Sequence, residues 1–255
     1  MHMPDNDSIM ELVRRTRVSG PAVVVNQCDR DSREQIGDVL ILNTTERGLS
    51  RSRNMAIANA TGDILLICDD DEILDEDYQE KICKAYTDHP DCSVAVFKYR
   101  PDNGYKRPWD EREVPLGTRT CFTVSSILIT FKRRDILEHG IRFDTRLGSG
   151  ASHAGGEENK FCLDCLRAGL RGICLPVFIT YLIPDSGSQW WKGNTDEYLA
   201  DHAKFARIIL GSPKCHFYNL FHALRHRKEI QKDNRFWHAL RVMYRAASQP
   251  PAPQD

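Results

Sequence analysis

The 255-residue sequence has no excess charge of either sign: 35 Lys and Arg stand against 36 Asp and Glu, a formal net charge of −1. That balance argues against a chain-wide basic field for nucleic acid and against the acidic surplus of a disordered chain, so any electrostatic function must be local. Long hydrophobic runs are missing too. "PAVVVN" and "CFTVSSILITF" are of strand length, short of the roughly 20 residues that a membrane-spanning helix requires. The chain does not open on the pattern of a signal peptide, and no internal repeat is visible. Cysteine is plentiful, at nine, but metal-ligand spacings are scarce. Cys162 and Cys165 in "FCLDCLRAG" form one CxxC with no second CxxC or HxxxH near it. Reduced core thiols in a cytoplasmic protein are the expectation, rather than disulfides or zinc.

What is there is the alternation of an α/β domain. "PAVVVN" and "DVLILNT" read as strands, and "GLSRSRNMAIANATG" as a helix capped by Ser50 or Ser52 and ended at Gly62. "DILLIC" reads as a buried strand, "DEDYQEKICKAYTDHP" as a helix stopped by Pro90, and "CSVAVFKYR" as a strand. This order predicts a mostly parallel sheet with helices on both faces. "CFTVSSILITF" predicts a further strand, and "ENKFCLDCLRAG" a helix after the Gly-rich "RLGSGASHAGG". Beyond residue 195 the periodicity turns helical. The expected layout is a domain over 1–195, a helical C-terminal extension over 196–247 packed on it, and a disordered tail over 248–255.

The stretch "GDILLICDDDEIL" drives an apolar strand into Asp69, Asp70 and Asp71, with Glu72 behind them. In an open parallel sheet, ligands bind beyond the carboxyl ends of the strands, which is where these acids fall. Packed carboxylates repel one another unless a cation neutralises them, and oxygen-only donors select a hard ion, Mg²⁺ or Mn²⁺. A solvated acidic turn that caps the next helix fits the triplet equally well. "RGLSRSRN" sets Arg47, Arg51 and Arg53 within reach of the same edge, where guanidinium forks suit phosphate oxygens. Glu157 and Glu158 open a helix after a flexible glycine loop, placed either to serve that helix N-terminus or to take a proton from a hydroxyl.

Three motifs in order, "RGLSRSRNMAIANATGDILLICDDDEILDEDY", "FDTRLGSG" and "GGEENKFCLDCLRAG", resemble the family-2 type of inverting, GT-A-fold glycosyltransferases, over roughly residues 20–185. The resemblance implies a Rossmann-like GT-A domain that moves a sugar from a nucleoside-diphosphate sugar, a UDP-sugar being favoured, to a saccharide or lipid-linked acceptor. It also implies a place in bacterial surface-polysaccharide synthesis. Asp69 and Asp71 look like the metal-binding DxD acids for Mg²⁺ or Mn²⁺, with Asp70 between them. Arg53 and Asn54, with Arg51, match the nucleotide-facing helix, and Asn26 and Asp29 end the strand that faces the base. Glu158 matches the catalytic-base position and Glu157 the residue before it.

The chain departs from the family pattern in two places. "MHMPDNDSIMEL" is too short to show the usual opening strand, and no histidine follows the base motif, where Asp185 or Ser186 stands instead. Trp190 and Trp191 are candidates for an acceptor platform or for anchoring their loop. The basic, aromatic "FHALRHRKEIQKDNRFWHALRVMYR" fits either packing on the domain or peripheral contact with the inner face of a membrane. A nucleotidyltransferase and a non-catalytic nucleotide-sugar-binding domain are the alternative readings.

Overall fold

The computed structural model describes residues 2–100, 109–125, 128–151, 155–182 and 193–253. The chain divides into two compact units, one of Met1–Asp144 with Glu157–Ser186 and one of Thr145–Gly156 with Gly187–Asp255.

The first unit opens with α1 (Asn6–Arg15), an element absent from the strand-and-helix pattern expected above. Asp5 caps it by accepting a hydrogen bond from the Ser8 amide, and Ile9, Leu12 and Val13 form its buried stripe. Strands β1 (Ala22–Gln27), β2 (Ser32–Ile36) and β3 (Val39–Thr44) make a three-stranded sheet in the order β1-β3-β2. β1 and β3 run parallel with Ala22 opposite Val39, and β2 folds back antiparallel through a turn at Gly37, whose φ of +57° suits glycine. β3 is buried along its whole length because both faces are covered. Val39 and Ile41 pack with Ile9 and Val13 of α1, whereas Leu40 and Leu42 pack with Met55 and Ala56 of α2 (Leu49–Asn59).

α2 starts at Gly48 rather than at a serine cap: Gly48 has φ +120° and no side-chain cap is made there. β4 (Ile64–Leu66) and β5 (Glu72–Leu74) follow, then α3 (Tyr78–Asp88), β6 (Val94–Arg100), β7 (Val114–Pro115), α4 (Thr118–Cys121), β8 (Ile129–Lys132), α5 (Arg133–Glu138), α6 (Glu157–Arg167) and β9 (Gly172–Leu182). Among the described residues the second sheet has the order β4-β8-β6-β9-β5, with β7 also on β9.

The expectation of a mostly parallel sheet is corrected here. β6 and β9 are parallel, but β4–β8, β8–β6, β5–β9 and β7–β9 are antiparallel, since β5 and β7 are short segments that fold back onto β9. β4 is likewise a half-buried edge strand of three residues, not a fully buried one. "CFTVSSILITF" divides, its Cys121 ending α4 and only its last residues joining β8. α3 covers one face of the sheet through Tyr78, Ile82, Ala85 and Tyr86. Phe131 of β8 meets Phe161 of α6, which stacks on Phe143 at 4.4 Å between ring centroids. All nine cysteines are free, and Cys162 and Cys165 are buried on α6 as core residues.

The second unit contains α7 (Asp196–Leu210), α8 (Lys214–Arg225), α9 (Arg227–Asp233) and α10 (Phe236–Ser248). They close over a core of Leu199, Ala203, Ala223, Ile230, Ala239 and Met243. No helix among the described residues is long and apolar enough to cross a membrane.

Candidate active site

The acidic triplet lies in the turn between β4 and β5, and its first member meets Arg53 of α2 and Glu72 of β5. Arg53 comes from the middle of α2 and is 5% exposed. Its Nη2 contacts Asp69 Oδ1 at 3.0 Å and its Nη1 contacts Glu157 Oε1 at 2.8 Å, so one guanidinium fork joins the acidic turn to the first turn of α6. The ring of Phe143 lies beneath the guanidinium, 5.4 Å from centroid to Cζ. Burial alone would lower the affinity of Arg53 for its proton, but the carboxylates of Asp69, Glu157 and Glu158 outweigh it and hold the guanidinium firmly charged.

Asn54, the next residue, faces elsewhere. Its Nδ2 donates to the Phe143 carbonyl and its Oδ1 accepts from the Phe143 amide, both at 2.8 Å. The side-chain amide thus pins the segment that carries the platform ring under Arg53.

Glu157 is 5% exposed and fixed by Arg53. Glu158 beside it behaves differently: desolvation first, and the Glu157 charge second, push its carboxyl up to about 8. At neutral pH this pair therefore holds a proton, and the geometry assigns the anchored, ion-paired role to Glu157. Gly156, which precedes them, has φ +86°, and a Cβ there would lie 2.2 Å from the Phe205 ring. Only glycine fits that turn.

Glu72 is the residue whose importance sequence reasoning missed. It is fully buried, its Oε1 accepts a 2.6 Å hydrogen bond from the Asp69 amide, and its Oε2 has no hydrogen-bond partner among the described residues. Burial, then the Asp69 charge, raises it to about 8. A signal for it exists in the alternation along β5, where Glu72 and Leu74 are buried and Ile73 is not. Asp70 is exposed, and its carbonyl accepts from Arg15 Nη2 at 3.0 Å; Asp71 is half-buried.

The residues expected to face a nucleobase lie on the first sheet. Asn26 is buried at the end of β1 and spends its amide on the Met3 backbone and on Asn43 Oδ1, with bonds of 2.7–3.1 Å. Asp29 is exposed and meets Arg47 Nη2 at 2.9 Å, while Arg47 Nη1 also donates to the carbonyls of Cys28, Thr44 and Thr45. Arg47 is therefore a clamp across two loops, and Arg51 is half-buried on α2. Trp190, Trp191, Asp185 and Ser186 lie outside the described residues.

Among the described residues no three His, Cys, Asp or Glu side chains converge on one metal position. The acidic turn still fits a hard cation, because its donors are all carboxylate oxygens and Mg²⁺ is commonly held by one or two carboxylates plus substrate phosphates. Asp69 and Asp71 are the residues that could hold it.

The mixed α/β scaffold is that of GT-A-fold proteins, and comparison with known proteins agrees. The family model described as glycosyl transferase family 2 matches residues 21–154, just over half of the chain, and the chain belongs to that family. Its sequence is 28% identical over 148 residues to a glucosyl-dolichyl phosphate glucuronosyltransferase of Haloferax volcanii, spanning 52% of this chain and 47% of that one. The chain thus spans about half the length of the curated relative. The fold is similar to that of Staphylococcus aureus TarS, residues 1–349, solved with UDP-GlcNAc: TM-score 0.57, 17% identity, 88% of this chain and 69% of that one. It is also similar to the mannosyltransferase PcManGT of Pyrobaculum calidifontis, solved with GDP-Man and Mn²⁺: TM-score 0.51, 16% identity, 94% and 69% covered.

Proposed function

We propose that the protein is a metal-dependent, inverting glycosyltransferase that moves a sugar from a nucleoside-diphosphate sugar to an acceptor hydroxyl. The observation that carries this reading is the Arg53 fork, which ties the acidic turn at Asp69 to the carboxylate pair that opens α6. Leaving-group and base functions must sit on opposite sides of one reacting carbon, and a rigid buried link fixes their separation. Bound UDP-GlcNAc in one structural neighbour and GDP-Man with Mn²⁺ in another support a nucleotide-sugar donor and a divalent ion. We favour a UDP-sugar.

In the mechanism, Glu158 receives the proton of the acceptor hydroxyl as that oxygen attacks the anomeric carbon and the bond to the diphosphate oxygen breaks, inverting the centre. Its raised proton affinity suits it to accept that proton once it is ionised. Glu157 and Arg53 position it. Asp69 and Asp71 would hold a divalent cation, which would supply Lewis-acid stabilisation to the departing diphosphate. Arg51 helps to seat the nucleotide, and Asn54 holds the segment on which the Arg53 platform is built. Asn26 shapes the strand end next to the nucleoside, with Asp29 its exposed polar contact.

The acceptor is a saccharide or a lipid-linked sugar of bacterial surface-polysaccharide synthesis; the name of the Haloferax relative, with its dolichyl phosphate, supports the lipid-linked choice. On this reading the protein works on the cytoplasmic side, with the C-terminal helices as a peripheral contact at the membrane. Sugar release or transfer from UDP-, GDP- and dTDP-sugars, with and without EDTA, tests the assignment. Turnover should require the metal and fall by about 10²-fold or more in Glu158→Gln. No turnover by folded, metal-supplied protein on any of these donors would overturn it.

A further inference from the structure

We propose that the C-terminal helical unit docks on an anionic lipid surface through an exposed apolar stripe on α8 and an arginine-lined cleft at the α9–α10 junction. α8 is amphipathic, but its large apolar residues are on the outside. Its inner face is filled by Cys215, Asn219 and Ala223, while Phe217 is 73% exposed, Phe221 60% and Leu224 55%, with Leu220 exposed beside them. The spacing i, i+3, i+4, i+7 puts all four on one arc of about 100°. Core formation does not require them there, because the four helices already close over a buried core that includes Leu199, Ile230 and Met243. A stripe of this kind is an interaction surface.

The charges around it name the partner. Residues 211–249 carry eight Lys and Arg against Glu229 and Asp233, a net +6 in a chain whose formal charge is −1. α8 itself contains no acid, and Lys214 and Arg225 flank its stripe at its two ends. Beyond it, a cleft of about 420 Å³ is lined by Arg227, Arg235 and Arg241 together with Trp237 and His238. Trp237 is 76% exposed and Tyr244, two turns further along the same face of α10, 63%. His238 is held by Asp196 at 2.8 Å, and the three guanidinium groups give the cleft its positive charge.

Exposed Phe and Leu supply insertion into the acyl boundary, Trp and Tyr suit the headgroup level, and arginine forks match lipid phosphates. A second copy of the same face would bring like charge against like charge. The lipid surface is therefore the occupant that satisfies both the apolar stripe and its basic surround. This inference rests on the peripheral-contact reading above, but not on catalysis.

Flotation of the full chain with phosphatidylcholine vesicles, with and without phosphatidylglycerol, at low and high salt tests it. The expected result is binding to the phosphatidylglycerol vesicles alone, weakened by high salt. Two variants, Phe217→Ser/Phe221→Ser and Arg235→Glu/Arg241→Glu, should each lose about tenfold or more in partitioning. All four residues are exposed, so far-UV circular dichroism should be unchanged. Vesicle-free hydrolysis of the nucleotide sugar should also be unchanged, which separates failure of docking from failure of the enzymatic reading. Absence of binding at low salt, or wild-type binding by either variant, overturns the proposal. So does a dimer, seen by light scattering, that Phe217→Ser/Phe221→Ser abolishes.

Discussion

Replacing Glu72 by Gln should make the protein more stable at alkaline pH and leave it nearly unchanged at acid pH. Glu72 is fully buried beside Asp69, and burial with that neighbouring charge raises it from 4.5 to about 8. Between those two values the folded chain keeps a proton at this site that the unfolded chain has released. Stability contributed by the site is therefore complete below pH 4.5 and is lost as pH rises through about 8. A tenfold change in proton affinity is worth about 1.4 kcal/mol, so the full window is worth about 5 kcal/mol, an upper bound because buried sites relax. Gln keeps the Oε1 acceptor for the Asp69 amide and carries no charge at any pH. Guanidinium unfolding in EDTA at about pH 5 and about pH 9 should show the variant within about 1 kcal/mol of wild type at the first and more stable by about 2–5 kcal/mol at the second. The difference between the two proteins isolates Glu72 from Glu158, which titrates in the same direction. Parallel pH profiles for wild type and variant would refute the reasoning.

Arg53→Met should destabilise the first unit by about 3–5 kcal/mol, because it strands Asp69 and the buried Glu157 without their cation; a loss below about 1 kcal/mol, measured by the same unfolding titration, would show that the fork is not a structural link. The second unit should respond to acid rather than alkali. His202 lies 4.0 Å from His222 between ring centroids, and burial, then the charges of His222 and His226, lowers it to about 3, with His222 lowered to about 4. The unfolded chain gains these protons first, so stability is present above pH 6.5 and is lost as pH falls towards those values. Far-UV circular dichroism against pH should show His202→Phe retaining helix to lower pH than wild type, and coincident curves would count against the cluster as the cause.

Much of the first sheet is legible in the sequence because its strongest pattern and its packing agree. "VLIL" is apolar at consecutive positions, and β3 does have helices on both faces. α1 escapes a reading that looks for an opening strand, although Asp5, Ser8 and the Ile9, Leu12, Val13 spacing spell a capped amphipathic helix. Pairing direction is not legible at all. β5 and β7 are strands of three and two residues, formed because β9 offers them hydrogen-bonding partners, and no local preference in "EIL" or "VP" announces that.

The site residues divide on the same principle. Motif order picks out Arg53 on α2, Asp69 in the turn between β4 and β5, and the Glu157–Glu158 pair that opens α6. Which neighbour does what depends on side-chain direction, and one residue's step along a helix or strand reverses it. Arg53 turns into the acidic turn while Asn54 turns to Phe143; Glu157 turns to Arg53 while Glu158 keeps a raised proton affinity. Asp70 faces solvent while Glu72 is sealed in. An acid run that looks like one feature therefore holds opposite electrostatic states within four residues. Asp69 is an ion-paired carboxylate with a guanidinium at 3.0 Å, and Glu72 at neutral pH is a protonated acid inside the core. Packing four ionised carboxylates into that turn would be strongly unfavourable, and burying Glu72 as a neutral group removes one of them. The charge that remains is concentrated on Asp69, Asp70 and Asp71, where the proposed cation and diphosphate would sit.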